Sequence, residues 1–535
     1  MSPAIPEKLA DAKMPPQIGF IIGNEACERF SFYGMRNVLT VFLSGYLLTA
    51  LPEAERGARS KEIFHLFVMG VYFFPLIGGW LSDTYLGKYR TIFWISLIYC
   101  AGHACLAVFE DNPQGFYVGM LLIALGSGGI KPCVSSFVGE QFTQTNKHLA
   151  KVVYDAFYWT INFGSFFGSL LIPLVLEHKA WGPKWAFGIP GILMGAATLV
   201  LWLGRDRYVI AEPSPADPHS FLRIAKTALL SPDEEGRRPG LTVVALGVGL
   251  SLASLTTAGG IELMGSKLVP ALGVVPAICL AVVALFLPIG VTLSGLLERA
   301  RGHHPDEEID GARAVLRVLV VFALVTPFWS LFDQKASTWV LQAKAMELPG
   351  WAWFKSPSQM QSLNPALVML IIPFNNVVLY PALRRLGIDP TPLRRMTVGM
   401  AFAGVSWIAA GALQLSIDGG TKLPILWQAL PYCLLTFGEV LVSATGLEFA
   451  YSQAPAKMKS VLLSFWSLAV TIGNLWVILV NALFKTAFVK DGVAGLRVGL
   501  TAFQMFFFAC FAFAAAVAFG LYARRYRVVD YYRSA

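Results

Sequence analysis

The sequence predicts an all-α integral membrane protein with fourteen spanning helices, grouped six, two and six. Three observations carry this expectation. Only 14% of the 535 residues are charged and 56% are hydrophobic, whereas soluble domains carry about 25% charge. Apolar stretches of bilayer-spanning length, about 20 residues each, recur from end to end. Lys and Arg gather in alternate connections between those stretches, as they do on the cytoplasmic side of membrane proteins.

The first six spans lie near 18–50, 61–86, 91–110, 115–142, 150–176 and 185–204. The polar stretch "GRDRYVIAEPSPADPHS" follows, then a short amphipathic segment near 220–230 and two further spans near 241–265 and 270–297. After "ERARGHHPDEEIDGARAVLR" come the last six spans, near 313–345, 361–385, 394–416, 424–453, 459–484 and 497–525. Connections that an even number of crossings places inside contain "GKYR", "NKHLAK", "GRDR", "ERARGHH", "RRLGIDPTPLRR" and "KMK", and the chain ends "ARRYRVVDYYR". Connections assigned outside, such as "EDNPQG", are poorer in basic residues, although Lys344, Lys355, Lys485, Lys490 and Arg497 reduce the contrast. Both termini are therefore expected to be cytoplasmic. The expected division is a tail at 1–17, a six-helix bundle at 18–204, a linker with two extra helices at 205–312, a second six-helix bundle at 313–525 and a tail at 526–535. The halves echo each other. "GGWLSDTYLGKYRT" follows the second span of the first six, and "YPALRRLGIDPTPLRRM" takes the matching place in the last six. Repeated bundles around a central site are the architecture of secondary transporters.

Other classes are disfavoured. The net charge of +9 comes from Lys and Arg that punctuate apolar runs without forming a basic face, so no nucleic-acid partner is expected. The opening "MSPAIPEKLADAKMPPQ" lacks an apolar core with a small-residue cleavage site and reads as a cytoplasmic tail. The seven Cys all lie in apolar stretches without CxxC spacing and read as packing residues. No metal motif, P-loop or GxSxG elbow is present.

The first span nevertheless contains Glu25, Glu28, Arg29 and Arg36 within "GNEACERFSFYGMRNVLT". Each such charge costs roughly 2.5–3.5 kcal/mol at the centre of a spanning helix. With Phe32 and Tyr33 they fall three or four apart, on one stripe, while Ile22, Val38 and Val41 can face lipid. The stripe must face a bundle interior or a water-filled path. Two neighbouring carboxylates raise one another's proton affinity, which suits a proton relay better than a structural ion pair.

"EACERFSFYG" resembles the ExxERFxYYG motif of the proton-dependent oligopeptide transporter (POT/PTR) family of the major facilitator superfamily, with Phe32 where the family usually has Tyr. "GGWLSDTYLGKYRTI", "GSGGIKPCVSSFVGEQF", "FYWTINFG", "FWSLFDQKAS", "QSLNP", "GEVLVSATGLEFAYSQAP" and "MKS" agree with the family in order along nearly the whole chain. The resemblance implies the major facilitator fold, two six-helix bundles plus two additional helices as in bacterial members. It also implies a proton-coupled symporter that imports di- and tripeptides by alternating access through the cell (inner) membrane. The proton gradient supplies the energy, so neither an enzymatic activity nor a cofactor is expected. The partners are peptides, protons and the lipid bilayer, and the expected working unit is a monomer.

A carrier of many peptides must grip what they share: an amine, a carboxylate and a backbone. By resemblance, Arg29 and Lys131 meet the carboxylate, Glu439 meets the amine, and the Asn162 and Asn364 amides meet the backbone. Tyr33, Tyr72, Trp329 and Trp466 match cavity-lining positions. Proton coupling falls to Glu25, Glu28, Arg29 and Lys131, and gating to Arg36, Asp333 and His65. Asp83 belongs to a loop that braces the cytoplasmic side, while Lys335 and Glu448 receive no role. Two alternatives stay open at this point. One is a proton-coupled carrier of nitrate or another small anion, since plant relatives share the glutamate-rich motif. The other is an integral membrane transferase, which would need a catalytic constellation at one membrane face.

Overall fold

Backbone groups within hydrocarbon have no partner but one another, and each long apolar run accordingly forms a helix. The computed structural model describes residues 14–143, 146, 149–213, 217–233, 235–258, 274–453, 458–496 and 498–527. In chain order the helices are α1 (Ile18–Phe42), α2 (Glu53–Leu81), α3 (Lys88–Val108), α4 (Pro113–Glu140), α5 (Ala150–Glu177), α6 (Gly182–Leu203), α7 (Phe221–Leu230), α8 (Pro239–Ala258), α9 (Val274–Leu296), α10 (Asp306–Asp333), α11 (Thr338–Ala343), α12 (Leu363–Phe374), α13 (Tyr380–Arg385), α14 (Pro392–Asp418), α15 (Ala429–Ser452), α16 (Lys459–Phe484), α17 (Ala487–Ala494) and α18 (Leu500–Arg525). Among the described residues, 13 helical stretches are long and apolar enough to cross a membrane. Their number excludes α1, which has 25 residues but also the four charges; with it, the fourteen expected spans are present.

Departures from the expected boundaries have local causes. α2 begins at Glu53, ahead of the expected 61, with Glu53 and Glu55 in a first turn where the helix dipole favours negative charge. α10 begins at Asp306, ahead of 313, with Asp306, Glu307 and Glu308 in the same role. The span expected at 361–385 is α12, a π-helical turn at Asn375–Leu379 and α13. The adjoining ends of the spans expected at 241–265 and 270–297 fall on 259–273, outside the described residues. So do 1–13 and 528–535 of the tails, part of "NKHLAK", Lys457, Arg497 and the end of "SQAP".

The chain forms two compact units. One comprises Met1–Pro215, Gln334–Ile388 and Gly420–Phe437. Within it α1 packs on α5 and α6, α3 on α4 and α6, and α2 on α4. Small residues permit this close approach, as is usual between membrane helices. A Cβ on Gly168 of α5 would lie 2.7 Å from the Phe30 carbonyl oxygen of α1. The ends of α1 and α5 predicted to face outward are bonded to the later segments of the same unit. Thr40 Oγ1 donates to the Ala336 carbonyl (2.7 Å), Gln361 Nε2 to the Asn37 carbonyl (2.9 Å) and Gln359 Nε2 to the Leu170 carbonyl (3.0 Å). Lys344 Nζ donates to Ser44 Oγ at 2.7 Å.

The other unit comprises Ala216–Asp333, Asp389–Gly419 and Gly438–Ala535. Its helices pair as α8 with α9, α14 with α18, and α10 with α16 and α18. The amphipathic α7 buries Phe221, Ile224, Ala225 and Ala228, the i, i+3, i+4, i+7 face expected of a surface helix. The turn after α9 is braced by ion pairs from Arg301 to Glu298 (2.5 Å) and Asp306 (2.7 Å), and from Arg313 of α10 back to Glu298. His304 in that turn lies 2.9 Å from His219 Nδ1 through its own Nδ1, and 2.9 Å from Thr227 Oγ1 through Nε2.

Candidate functional site

The stripe on α1 faces the interior of the first unit. Glu25, Glu28 and Arg29 are 4%, 1% and 4% exposed, so none of them meets lipid. Arg29 Nε lies 3.0 Å from Glu25 Oε1 and also pairs with Glu28, so one guanidinium is shared by two carboxylates. Its Cζ stands 5.8 Å from the Phe32 ring centroid. Helix geometry sets the depth of this cluster. Glu28 lies ten residues from the start of α1, about 15 Å along its axis at 1.5 Å per residue.

Lys131 reaches a like depth from the antiparallel α4. That helix starts where the Asn112 side chain accepts the Gln114 and Gly115 N–H groups (3.0 and 3.1 Å), with Pro113 at its first position. Lys131 is nine residues from the other end, about 14 Å along the axis. Its Nζ sits 4.0 Å over the Tyr72 ring and acts electrostatically on Glu25. Fully ionised, Glu25, Glu28, Arg29 and Lys131 sum to zero. One proton on either carboxylate leaves the set with a net positive charge and loosens the hold on Arg29, which suits it to receive an anion.

The first unit also holds Tyr33, Arg36, His65, Asn162 and Asn364. Tyr33 meets the Phe32 ring edge-on at 5.3 Å. Arg36 lies over the Phe64 ring at 5.1 Å, with Nη1 3.5 Å from Asn37 Oδ1. His65 is fully buried, its Nε2 2.8 Å from Ser337 Oγ. Asn162 Nδ2 donates to the Tyr158 carbonyl of its own helix (3.0 Å), and Asn364 Nδ2 donates to Thr436 Oγ1 (3.0 Å). Each of these amides also carries an oxygen able to accept from a donor.

Trp329, Asp333, Glu439 and Trp466 belong to the second unit. Trp329 and Trp466 pack edge-to-face with centroids 5.8 Å apart, and Phe322 lies 5.1 Å from Trp466. Asp333 is buried and accepts from Asn474 Nδ2 at 2.7 Å. Glu439 is half-buried on α15. Two residues that the sequence leaves unassigned have local partners. The Lys335 carbonyl accepts from the Tyr432 hydroxyl (3.3 Å), and Glu448 forms an ion pair with Arg395 (3.4 Å). Asp83 Oδ1 accepts from Ser82 Oγ at 3.3 Å. No group of three or more potential metal ligands is gathered among the described residues.

Sequence reasoning passes over Tyr99 and His103 on α3. Both are fully buried, and their rings stack at 5.1 Å. The available signal was a Tyr and a His four apart, hence on one face, in the otherwise apolar "SLIYCAGHACLAV".

Residues 89–229 and 294–496 match the model of the POT family. The chain belongs to the POT family. It is similar to an auto inhibited POT family peptide transporter of known crystal structure, with 61% identity and a TM-score of 0.90 over 97% of this chain and 99% of that one. It is similar also to the POT family transporter PepTSo, at 56% identity and a TM-score of 0.91 over 97% of this chain and 100% of that one. Peptide transporter 3 of Caenorhabditis elegans is 31% identical over 423 residues, covering 77% of this chain and 52% of the relative. Solute carrier family 15 member 1 of Oryctolagus cuniculus is 30% identical over 441 residues, covering 78% and 54%. The chain thus spans about half the length of the curated relatives it matches. Its fold is the major facilitator fold of POT family members, with two additional helices.

Proposed function

We propose that this POT family member is a proton-coupled symporter that imports di- and tripeptides by alternating access. The observation that carries the proposal is the buried Glu25–Arg29–Glu28 triad, with Lys131 within electrostatic reach. Relatives and structural neighbours that bear the name peptide transporter support the substrate class. In this reading the inner membrane holds the protein with both termini cytoplasmic, a monomer suffices and no cofactor takes part. The bundles 18–204 and 313–525 are the bodies that move.

A proton taken up from outside settles on Glu25 or Glu28 and loosens the hold on Arg29. Arg29 and Lys131 then receive the peptide carboxylate, Glu439 the amine, and Asn162 and Asn364 the backbone. Tyr33, Tyr72, Trp329 and Trp466 line the path, and Arg36, His65 and Asp333 serve the outer gate. Loss of the proton to the inside lets the carboxylates recapture Arg29 and expel the peptide. A nitrate substrate would give Glu439 no amine to bind, and a transferase would need chemistry that this charge-balanced cluster does not offer. The test is uptake of labelled dialanine into proteoliposomes. The expected result is accumulation with an imposed inward proton gradient and equilibration without one. Accumulation that ignores the gradient would reject proton coupling, and failure of unlabelled dipeptides to compete would reject the substrate class.

A further inference from the structure

The connection between α11 and the helical turn Pro357–Ser362 belongs to the first unit and is not helical. Its sequence, "KAMELPGWAWFKS", carries Pro349 and Gly350, the two poorest helix formers. Between Glu347 and Lys355 it has no charge at all. Phe354 is buried, whereas Leu348, Trp351 and Trp353 are exposed. The indoles of Trp351 and Trp353 stack with centroids 5.0 Å apart and planes 17° from parallel, yet remain 43% and 54% exposed. Nothing in the fold covers this apolar pair, and such a surface marks an interaction site.

One side chain sets the depth of the stretch. Gln359 is fully buried, and its Oε1 accepts from the Lys355 and Ser356 N–H groups (2.6 and 2.9 Å). Its Nε2 donates to the Trp353 carbonyl (2.8 Å) and to the Leu170 carbonyl of α5 (3.0 Å). Two donor and two acceptor positions are all that an amide has, so its capacity is used up. The Trp353 carbonyl is thereby held beside that of Leu170, seven residues before the end of α5. That is about 10 Å inward at 1.5 Å per residue. With 28 residues α5 is about 42 Å long, which matches the ~40–45 Å of a bilayer including its headgroups. The headgroup layer takes about 5–7 Å of this at each face. The Trp353 backbone therefore lies beneath the headgroups, at the edge of the hydrocarbon. Non-helical backbone persists at such a depth only where its polar groups are satisfied. Gln359 satisfies four of them, and the Trp351 carbonyl accepts from the Phe354 N–H (3.2 Å).

We propose that residues 348–354 form a segment that dips into one leaflet of the membrane, with Trp351 and Trp353 held against phospholipid by the Gln359 anchor. The leaflet is the one at the C-terminal end of α5, the outer one in the reading above. Lipid is the occupant because the contact continues a surface that lipid already covers. On α5, Phe163 and Leu171 are exposed two turns apart, and Leu171 adjoins the bonded Leu170. An indole, apolar in body with one N–H to give, is also the side chain that collects at membrane interfaces. Gln361, two residues beyond Gln359, donates to the Asn37 carbonyl of α1 (2.9 Å). The same short turn thus ties the lipid contact to both α1 and α5. None of this depends on what the chain transports.

The test uses the full-length protein, labelled with fluorotryptophan, in nanodiscs of phosphatidylcholine and phosphatidylglycerol. The fluorine NMR signals of Trp351 and Trp353 are assigned by their loss in Trp351→Phe and Trp353→Phe; one assignment suffices if a variant fails to fold, because stacked rings share one depth. Dissolved oxygen concentrates in hydrocarbon and should relax both signals more than a water-soluble gadolinium chelate does. Trp181, equally exposed but beyond the end of α5, supplies the reference and should respond more strongly to the chelate. A chelate effect on Trp351 and Trp353 as large as that on Trp181 would place the segment in water and overturn the proposal. Protection from both agents would mean that protein, such as a second copy of the chain, covers the stack, and would overturn it equally. Gln359→Leu should speed hydrogen exchange at the Lys355 and Ser356 amides by about tenfold, the equivalent of one net hydrogen bond. Unchanged exchange there would reject Gln359 as the anchor, and the depth measurement stands without that variant.

Discussion

Replacing Glu28 by glutamine keeps shape and removes one titratable charge. In the wild type Arg29 is shared between two carboxylates, so the variant retains the Glu25 partner at 3.0 Å. It therefore avoids most of the roughly 3–5 kcal/mol cost of leaving a buried charge wholly unpaired. With a neutral amide in place of the Glu28 carboxylate, Glu25, Arg29 and Lys131 leave the set permanently net positive, as in the protonated wild type. Peptide binding and exchange should survive, while the cycle loses its coupled proton. One proton moving with a neutral zwitterion down 100 mV yields about 2.3 kcal/mol. At about 1.4 kcal/mol per decade this sustains on the order of a 50-fold dialanine gradient. Proteoliposomes held at that potential should show that accumulation for the wild type and about onefold for Glu28→Gln, with counterflow intact. Potential-driven accumulation by Glu28→Gln near the wild-type ratio would refute the assignment of Glu28 as a coupling site.

Lys131→Ala should lose driven accumulation and keep counterflow, as uptake and exchange in the same vesicles will show; unimpaired driven uptake rejects its role. Gly168→Ala places a methyl 2.7 Å from the Phe30 carbonyl oxygen and should destabilise the α1–α5 contact by roughly 1–3 kcal/mol. A thermal melt in detergent should fall by several degrees, and an unchanged melt would mean that the two helices part without cost. Burial, with His219 and His303 nearby, holds His304 below the usual histidine range. The unfolded segment therefore takes up the proton first, so the contribution of His304 is complete above about pH 6.5 and is lost as the pH falls below it. Hydrogen exchange across α7 should accelerate on acidification through that window, and His304→Gln should flatten the response; equal pH sensitivity in both proteins contradicts it.

The span count was legible because hydrocarbon imposes a length and an apolar composition on each crossing. Helix starts were less legible. Glu53 and Asp306 open helices that extend past the apolar region, and charge at a helix N-terminus reads in the sequence as a loop. The triad on α1 was legible because Glu25, Glu28 and Arg29 belong to a single helix, where spacing determines which side chains meet. Lys131 over Tyr72 joins α4 to α2, and no periodicity reports such a pairing. The motif resemblance supplied the two residues as site candidates but not their pairing. Tyr99 and His103 escaped notice because tyrosine passes for core packing in an apolar span, and the contact of His103 with Ser31 exists only once α3 and α1 are assembled.

Proton uptake on peptide binding tests the central claim most directly, which is that the carboxylates on α1 exchange Arg29 for a proton when peptide arrives. Purified protein in a weakly buffered solution with a pH-sensitive dye is mixed with dialanine, and the released or absorbed protons are counted against the bound peptide. Binding is predicted to draw protons from solution at neutral pH, and Glu28→Gln is predicted to abolish most of that uptake while still binding. Peptide binding without any proton uptake across the pH range, or an undiminished uptake in Glu28→Gln, would contradict it.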